Sequence, residues 1–132
     1  MSLLMPLPLG KLPSEFLQKN LDYLKEISND KSVIIGPLIG QDNAIIDIGD
    51  RYLVVKSDPV TFVTDQIGYY AVSINANDIV LSGAKPQWFL CTVLLPKNIT
   101  KEEVSQIFRD IAKECQKWDI TVCGGYTDVT SE

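Results

Sequence analysis

The sequence predicts an α+β protein in which a mixed β-sheet is flanked by helices on one face. An amphipathic helical pattern over residues 100–118 lies between two apolar, strand-like runs, residues 87–95 and 120–123. This order is typical of a strand–helix–strand unit. Residues 44–58 have the pattern of a β-hairpin. Residues 67–82 form a further helical segment that is apolar nearly all round.

The first helix is predicted over residues 13–27. Pro13 suits its first turn, where backbone N–H groups have no acceptor within the helix. Two glycines and one proline within residues 36–40 then predict a loop. The buried stripe of the helix is expected from three leucines at a 4-then-3 spacing: Leu17, Leu21 and Leu24.

The hairpin is predicted to turn at Gly49 and Asp50. Gly in the first position of a two-residue turn favours type II′. This turn pairs Asp47 with Tyr52 and continues outward in strict register.

Two acids lie at the open end of this hairpin. Alternation along the second strand puts Lys56 and Asp58 on one face. In strict register Asp42 would point to the opposite face from Asp58. We therefore expect a bulge, or a loop beginning at Asn43, that brings the two carboxylates together.

The helix over residues 67–82 carries a single charge, Asp78. Because its other side chains are apolar or small, we expect burial on most sides, where an Asp needs a partner or a cation. Asn75 lies one turn earlier on the same face. We interpret the pair as a polar patch that faces a functional site. The alternatives are a narrow solvent-exposed strip and an Asp held by a lysine such as Lys85.

The ends of this helix have recognisable signals. Thr64 or Asp65 is the expected N-cap. Gly83 is expected to end the helix in the left-handed conformation, and Pro86 prevents its continuation.

The helix over residues 100–118 has the clearest pattern in the chain. Thr100 and Glu103 form a predicted capping box. The strand before it, residues 87–95, is apolar at nearly every position and is expected to be buried on both faces. The strand after it is expected to end in a turn at Gly124 and Gly125, and the two strands to lie parallel. The buried stripe of the helix is predicted from Val104, Ile107, Phe108, Ile111, Ala112, Cys115 and Trp118.

The composition excludes several classes of function. A chain of 132 residues is expected to hold one domain, residues 13–132, after a flexible arm over residues 1–12. The net charge of −5 and the lack of a Lys/Arg run argue against a nucleic-acid partner. No apolar run is long enough for a membrane span, and the N-terminal residues do not resemble a signal peptide.

Cysteine and histidine usage narrows the chemistry. Three widely spaced cysteines, Cys91, Cys115 and Cys123, predict reduced, buried thiols in a cytoplasmic protein. The chain has no histidine, which excludes imidazole acid/base catalysis, Ser-His and Cys-His pairs and His-ligated zinc.

Three carboxylates have settings that are poor for surface charges. Asp42 follows a glycine-containing loop, Asp58 ends an apolar strand and Asp78 lies on the apolar helix. If they converge they need a cation, and a set of oxygen ligands suits Mg²⁺, Mn²⁺ or Ca²⁺. Residues 124–127 offer backbone amides and a hydroxyl for a phosphate. Taken singly, each acid is more often structural.

Four sequence blocks occur in an order that resembles a known family. They are GQDNAIID (residues 40–47), VVKSDPVT (54–61), NANDIVLSGAKP (75–86) and CGGYTDVT (123–130). The chain resembles the N-terminal domain of the aminoimidazole ribonucleotide (AIR) synthase superfamily. Within it, the chain is most similar to the hydrogenase maturation proteins of the HypE type and to AIR-synthase-related proteins.

The resemblance implies ATP-dependent activation of an oxygen atom, with Mg²⁺ held by acids. It also implies a homodimer in which two sheets close into a barrel, and it suggests other hydrogenase maturation proteins as partners. By motif, the implied metal ligands are Asp42, Asp58 and Asp78. The implied nucleotide-binding residues are Lys56, Asn77, Gly124, Gly125 and Thr127.

Two departures from the family pattern matter. Tyr126 stands where many members have an acid, and a neutral tyrosine does not replace a carboxylate ligand. Asp128 matches a later acidic position of the family. The family's C-terminal domain, which completes the nucleotide site, is expected to be absent from this chain.

Two functions follow. In the first, this is the ATP- and Mg²⁺-binding half of a HypE-like protein that dehydrates a carbamoylated cysteine, and the half alone is inactive. In the second, it is a dimerisation or nucleotide-sensing module without turnover, which Tyr126 favours.

Overall fold

The chain alternates helices and strands in two units. A computed structural model describes residues 5–27, 29–61 and 65–131. The units are Met1–Val55 and Lys56–Glu132. Helices accompany antiparallel strands in the first and parallel strands in the second, so the predicted α+β class is confirmed. Among the described helices, none is both long and apolar enough to cross a membrane.

The first unit contains a small antiparallel sheet with strand order β1-β2-β3. The predicted hairpin register is confirmed, since Asp47 pairs with Tyr52 and Ala44 with Val55. Gly49 has a φ of 102°, as the first position of a type II′ turn requires. The elements of the unit are α1 (Ser14–Ile27), β1 (Val33–Ile35), β2 (Ala44–Asp47) and β3 (Tyr52–Val55).

The predicted stripe of α1 is only partly covered. Leu17 and Leu21 are half-buried, and Leu24 is exposed. No residue of α1 is buried. The strands of this unit are three or four residues long, and within the described residues α1 makes no extensive contact with any of them.

The second unit packs helices on one face of a two-stranded parallel sheet. The parallel pairing of β4 with β5 across α3 is confirmed. The prediction that β4 is buried on both faces is wrong. Its exposure alternates, and the inward side chains, Phe89, Cys91 and Val93, pack against a core of Val72, Ile111 and Cys115. The elements are α2 (Ile67–Leu81), β4 (Trp88–Leu95), α3 (Lys101–Trp118) and β5 (Thr121–Val129).

The two glycines near the C-terminus lie within β5 and do not end it, contrary to prediction. The strand continues to Val129, with a register irregularity opposite Phe89 and Leu90. A Cβ atom on Gly125 would lie 2.0 Å from the carbonyl oxygen of Cys91 on β4. Glycine at position 125 therefore lets the two backbones approach.

The caps of both long helices follow from local sequence, with one exception. The Thr100–Glu103 capping box of α3 is confirmed. Gly83, with a φ of 78°, ends α2 as predicted, and its N–H donates to the Val80 carbonyl over 2.9 Å. At the start of α2, Asp65 is not the cap. Gln66 takes that position in a left-handed conformation without a side-chain hydrogen bond, and Thr64 lies outside the described residues.

Helix α2 is held against α3 by a close contact and a polar cluster. A Cβ on Gly68 would lie 2.6 Å from the Ile107 carbonyl oxygen. Glu114 on α3 is only 5% exposed. Its carboxylate accepts from Ser73 of α2 over 3.3 Å and from the Trp118 indole over 3.1 Å, and it pairs with Lys117 over 3.0 Å. The expectation that α2 is buried on most sides is wrong, since Tyr70, Ile74, Val80 and Leu81 are exposed and mainly α3 covers it.

The cysteines are free thiols. Cys115 is buried and Cys91 half-buried, but Cys123 is exposed, so the prediction of burial is wrong for Cys123. Burial raises the pKa of the Cys91 and Cys115 thiols, which keeps both protonated and unreactive near neutral pH.

Replacing Gly125 with Ala is expected to destabilise the protein, because the added methyl group meets the backbone of Cys91. Gly124→Ala is the matched control. Its φ of 154° is close to the 159° of Gly125, but its Cβ would meet only a Leu90 methyl carbon at 3.3 Å. Urea denaturation should show a loss of unfolding free energy about 2 kcal/mol larger for Gly125→Ala. Equal losses would contradict the close approach.

Acid should weaken the α2–α3 contact through Glu114. Burial opposes ionisation, but hydrogen bonds and the charge of Lys117 outweigh it, so the pKa of Glu114 lies below its ordinary 4.5. The folded state then binds fewer protons than the unfolded state, and stability present above pH 4.5 is lost as pH falls through the folded value. Glu114→Gln should destabilise the protein at pH 7, and the difference from wild type should shrink near pH 3. Glu102→Gln, at an exposed position, serves as the control. A stability difference between Glu114→Gln and wild type that does not change with pH would refute a lowered pKa of Glu114.

Candidate functional site

The second unit brings a lysine and two acids together. The Lys56 ammonium lies 2.8 Å from Asp78 Oδ2 and 3.7 Å from Asp58 Oδ2. The side chain of Lys56 is 7% exposed, that of Asp78 20% and that of Asp58 42%. We call Lys56, Asp58 and Asp78 the Lys56 cluster.

The local sequence explains how the cluster forms. Lys56 directly follows β3, and the strand alternation that put Lys56 and Asp58 on one face holds for their side chains. Asp78 projects from the fourth turn of α2. Asn75, one turn earlier, donates from Nδ2 to the Asp58 carbonyl oxygen over 3.0 Å and to the Ala71 carbonyl oxygen over 2.8 Å. Asn75 therefore ties the segment that carries Lys56 and Asp58 to the helix that carries Asp78.

The interpretation of Asp78 as a charge that needs a partner agrees with this geometry. Its partner, however, is Lys56 and not Lys85. Lys85 pairs with the exposed Asp119 over 3.0 Å. Sequence reasoning placed Lys56 beside the site, whereas the structure places it between the two acids.

The electrostatics favour an additional cation or a polar ligand. Two carboxylates and one ammonium leave the three side chains with one excess negative charge, and the more exposed acid is Asp58. Because the side chain of Lys56 is 7% exposed, these carboxylates stabilise its ammonium where water has little access. The cluster therefore offers to solvent the carboxylate of Asp58, its most exposed member, beside a positive charge.

The oxygen donors fit Mg²⁺ in type and number. Mg²⁺ is a hard cation that takes one or two carboxylates and leaves its other positions to water and phosphate oxygens. Asp58 and Asp78 both direct an oxygen toward one positively charged atom. Within residues 56–61 and 65–131, no group of three acids, cysteines or histidines is placed to hold a metal ion.

The other predicted site residues lie elsewhere or stay as predictions. Asn77 is exposed on α2 beside Asp78. Asp42 lies in the loop before β2, in the first unit, and β2 begins at Ala44 as a loop at Asn43 requires. Two expectations for Asp42 remain predictions. One is that Asp42 is the third carboxylate of a metal site, and the other is that its carboxylate converges with that of Asp58.

Gly124, Gly125 and Thr127 line a cavity of about 320 Å³ beside α3. Its other walls are mainly apolar, from Cys91 and Val93 of β4 and from Phe108 and Ile111 of α3, and no member of the Lys56 cluster lines it. The structure thus gives Gly125 a packing role, and it does not join these three residues to the Lys56 cluster.

Tyr126 lies opposite Thr92 of β4 and is exposed. Its hydroxyl donates to Asp128 Oδ2 over 3.2 Å. Tyr126 thus positions the acid two residues along the strand, at the family's later acidic position.

Comparison with known proteins gives relatives of several different activities. Thiamine-monophosphate kinase of Aquifex aeolicus is 22% identical over 103 residues, which are 72% of this chain and 34% of the kinase. Carbamoyl dehydratase HypE of Escherichia coli is 24% identical over 107 residues, which are 81% of this chain and 31% of the dehydratase. The chain thus spans about a third of these curated relatives.

A solved structure has the same fold. AaThiL in complex with AMPPCP and TMP superposes on 92% of this chain and 40% of its own, with a TM-score of 0.69 and 20% sequence identity. Residues 40–132 match the family described as AIR synthase related protein, N-terminal domain. Because that match includes the Lys56 cluster and every element from β2 to β5, the chain belongs to the family of AIR synthase related proteins.

Proposed function

We propose that this chain is the ATP- and Mg²⁺-binding half of a HypE-like hydrogenase maturation protein of the cytoplasm. The observation that carries the proposal is the convergence of Asp58 and Asp78 on Lys56. Carboxylate oxygens beside an ammonium suit a metal-bound polyphosphate, which needs ligands for the metal and a positive charge for its own oxygens. The relatives support a nucleotide, since AaThiL was solved with AMPPCP, an ATP analogue.

Each residue of the site has a distinct role in this proposal. Asp58 and Asp78 would hold Mg²⁺, with Asp42 as the third acid, and the bound metal would neutralise phosphate charge. Lys56 would donate to a phosphate oxygen. Asn75 keeps the segment of Lys56 and Asp58 in place against α2 through the Asp58 carbonyl.

In the whole protein, ATP would transfer its γ-phosphate to the carbamoyl oxygen of a carbamoylated cysteine, with release of ADP. That oxygen would then leave as phosphate while the nitrogen loses two protons and a C≡N group forms. The similarity to carbamoyl dehydratase HypE over 107 residues supports this chemistry. The residues of the chemical step would lie outside this chain, so this half alone would bind nucleotide without turnover. Further nucleotide contacts would come from Asn77, Gly124, Gly125 and Thr127.

Asp78→Asn tests the binding proposal. The substitution removes one ionised ligand but keeps the side chain's shape, so Mg²⁺-ATP should bind about 10- to 100-fold more weakly in isothermal titration calorimetry. Asp119→Asn is the control, because Asp119 also pairs with a lysine over 3.0 Å but is 87% exposed. Asparagine also tolerates the left-handed backbone at that position.

Undiminished binding by a folded Asp78→Asn variant would refute the role of the cluster. Absence of Mg²⁺-ATP binding in the wild-type chain and in any longer form of the protein would refute the proposed function itself.

A second candidate is a dimerisation or nucleotide-sensing module without turnover. The outer face of the parallel sheet favours it. Trp88, Leu90 and Leu94 alternate along β4 and are 64%, 72% and 63% exposed. Large apolar side chains exposed along one face of a strand are typical of an interaction site. A second copy of the chain, whose sheet would close a barrel with this one, would cover it.

Leu90→Glu should disrupt such a dimer, because it places a carboxylate in the centre of the apolar face. Sedimentation equilibrium should show dimers of the wild-type chain and a dissociation constant at least about tenfold higher for the variant. Leu9→Glu, at an exposed leucine near the N-terminus, should leave the dimer intact. A wild-type chain that is monomeric at all concentrations would rule out the module.

A further inference from the structure

Lys56 occupies the position in which a cation would contact both Asp58 and Asp78. We propose that Lys56 is an internal counter-ion that keeps free divalent metal off these two carboxylates and releases them when a polyphosphate arrives. Metal and nucleotide then bind as a unit, and metal alone binds weakly. This inference rests on the proposed function, because it assigns the order of binding at the same site.

The distances make the ammonium and a metal competitors. A metal ion such as Mg²⁺ contacts its oxygen ligands at about 2.1 Å. The ammonium already lies 2.8 Å from Asp78 Oδ2 and 3.7 Å from Asp58 Oδ2. A divalent ion between these oxygens would stand next to a like charge at contact distance, so Lys56 must turn away before both acids can ligate it.

Burial limits the partners that the Lys56 ammonium can move to. Its side chain is 7% exposed, and an ammonium separated from its carboxylates in such a place is strongly disfavoured unless another anion receives it. A phosphate oxygen is such an anion, and lysine is a common phosphate ligand. The polyphosphate therefore supplies the new partner for Lys56, and the vacated carboxylates become available to the metal.

The backbone around the cluster is suited to this exchange. Asn75 holds the Asp58 carbonyl over 3.0 Å, so the main chain stays fixed while the four-carbon stem of Lys56 rotates. Asp78 is anchored on α2, whose packing on α3 through Gly68 leaves little room for movement. The change is confined to one side chain.

Electron paramagnetic resonance of Mn²⁺ tests the proposal, since the signal of free Mn²⁺ falls when the ion binds protein. AMPPCP also binds Mn²⁺ in solution, so each sample with AMPPCP is compared with one that lacks protein. The samples are the 132-residue chain and its Lys56→Met, Lys56→Arg and Lys85→Met variants, each with Mn²⁺ alone and with Mn²⁺ and AMPPCP. Lys56→Met should bind Mn²⁺ alone at least about tenfold more tightly than wild type, within the usual range of coupling between two ligands. Two variants should bind Mn²⁺ alone with the affinity of wild type. Lys56→Arg keeps the charge, and Lys85→Met removes a lysine that is paired with the exposed Asp119.

AMPPCP should raise the Mn²⁺ affinity of wild type at least about tenfold and that of Lys56→Met much less. Equal Mn²⁺ affinity of wild type and a folded Lys56→Met variant, with nucleotide binding retained, would overturn the inference and leave the proposed function intact. Loss of nucleotide binding in wild type would instead count against the proposed function. If Lys56→Met does not fold by circular dichroism, Lys56→Gln takes its place with the same expected outcome.

Discussion

The ion pair between Lys56 and Asp78 is the interaction on which the candidate site depends. Its 2.8 Å contact joins the segment after β3 to a helix that has no other charge. Asn75 fixes the same segment through the Asp58 carbonyl. Both contacts require α2 to hold its place, and α2 is held by the close approach of Gly68 to α3 and by the Ser73–Glu114 hydrogen bond. The geometry of the Lys56 cluster therefore depends on the packing of α2 on α3, which also forms the core of the second unit.

Local rules predicted much of the fold. The hairpin register, the capping box of α3 and the left-handed Gly83 were correct because each depends on residues within a few positions of one another. The errors involve non-local surroundings. An apolar run in the sequence does not show whether its second face contacts a core, a partner or solvent. Both β4 and α2 have exposed apolar faces in the structure. Gly124 and Gly125 look like a turn in sequence, but β4 needs a glycine opposite Cys91.

The sequence predicted which residues belong to the candidate site better than it predicted how their side chains pair. A single acid on an apolar helix signalled that Asp78 has a partner, and strand alternation placed Lys56 beside Asp58. Nothing in the sequence chose Lys56 over Lys85, because that choice depends on how the segment after β3 meets α2. Glu114 was missed altogether, since a glutamate on an amphipathic helix resembles a surface residue until Ser73, Lys117 and Trp118 surround it. The predicted nucleotide contacts of Gly124, Gly125 and Thr127 stay predictions, and the close approach of Gly125 to Cys91 was not predicted.

The central claim is that the carboxylates of the Lys56 cluster pass from an ammonium to a metal when nucleotide binds. A crystal structure of the chain with Mn²⁺ and AMPPCP tests it most directly, because anomalous scattering locates the manganese. We expect manganese ligated by Asp78 and Asp58, with the Lys56 ammonium on a phosphate oxygen. Bound nucleotide with Lys56 still 2.8 Å from Asp78, and with no manganese on Asp58 or Asp78, would contradict it.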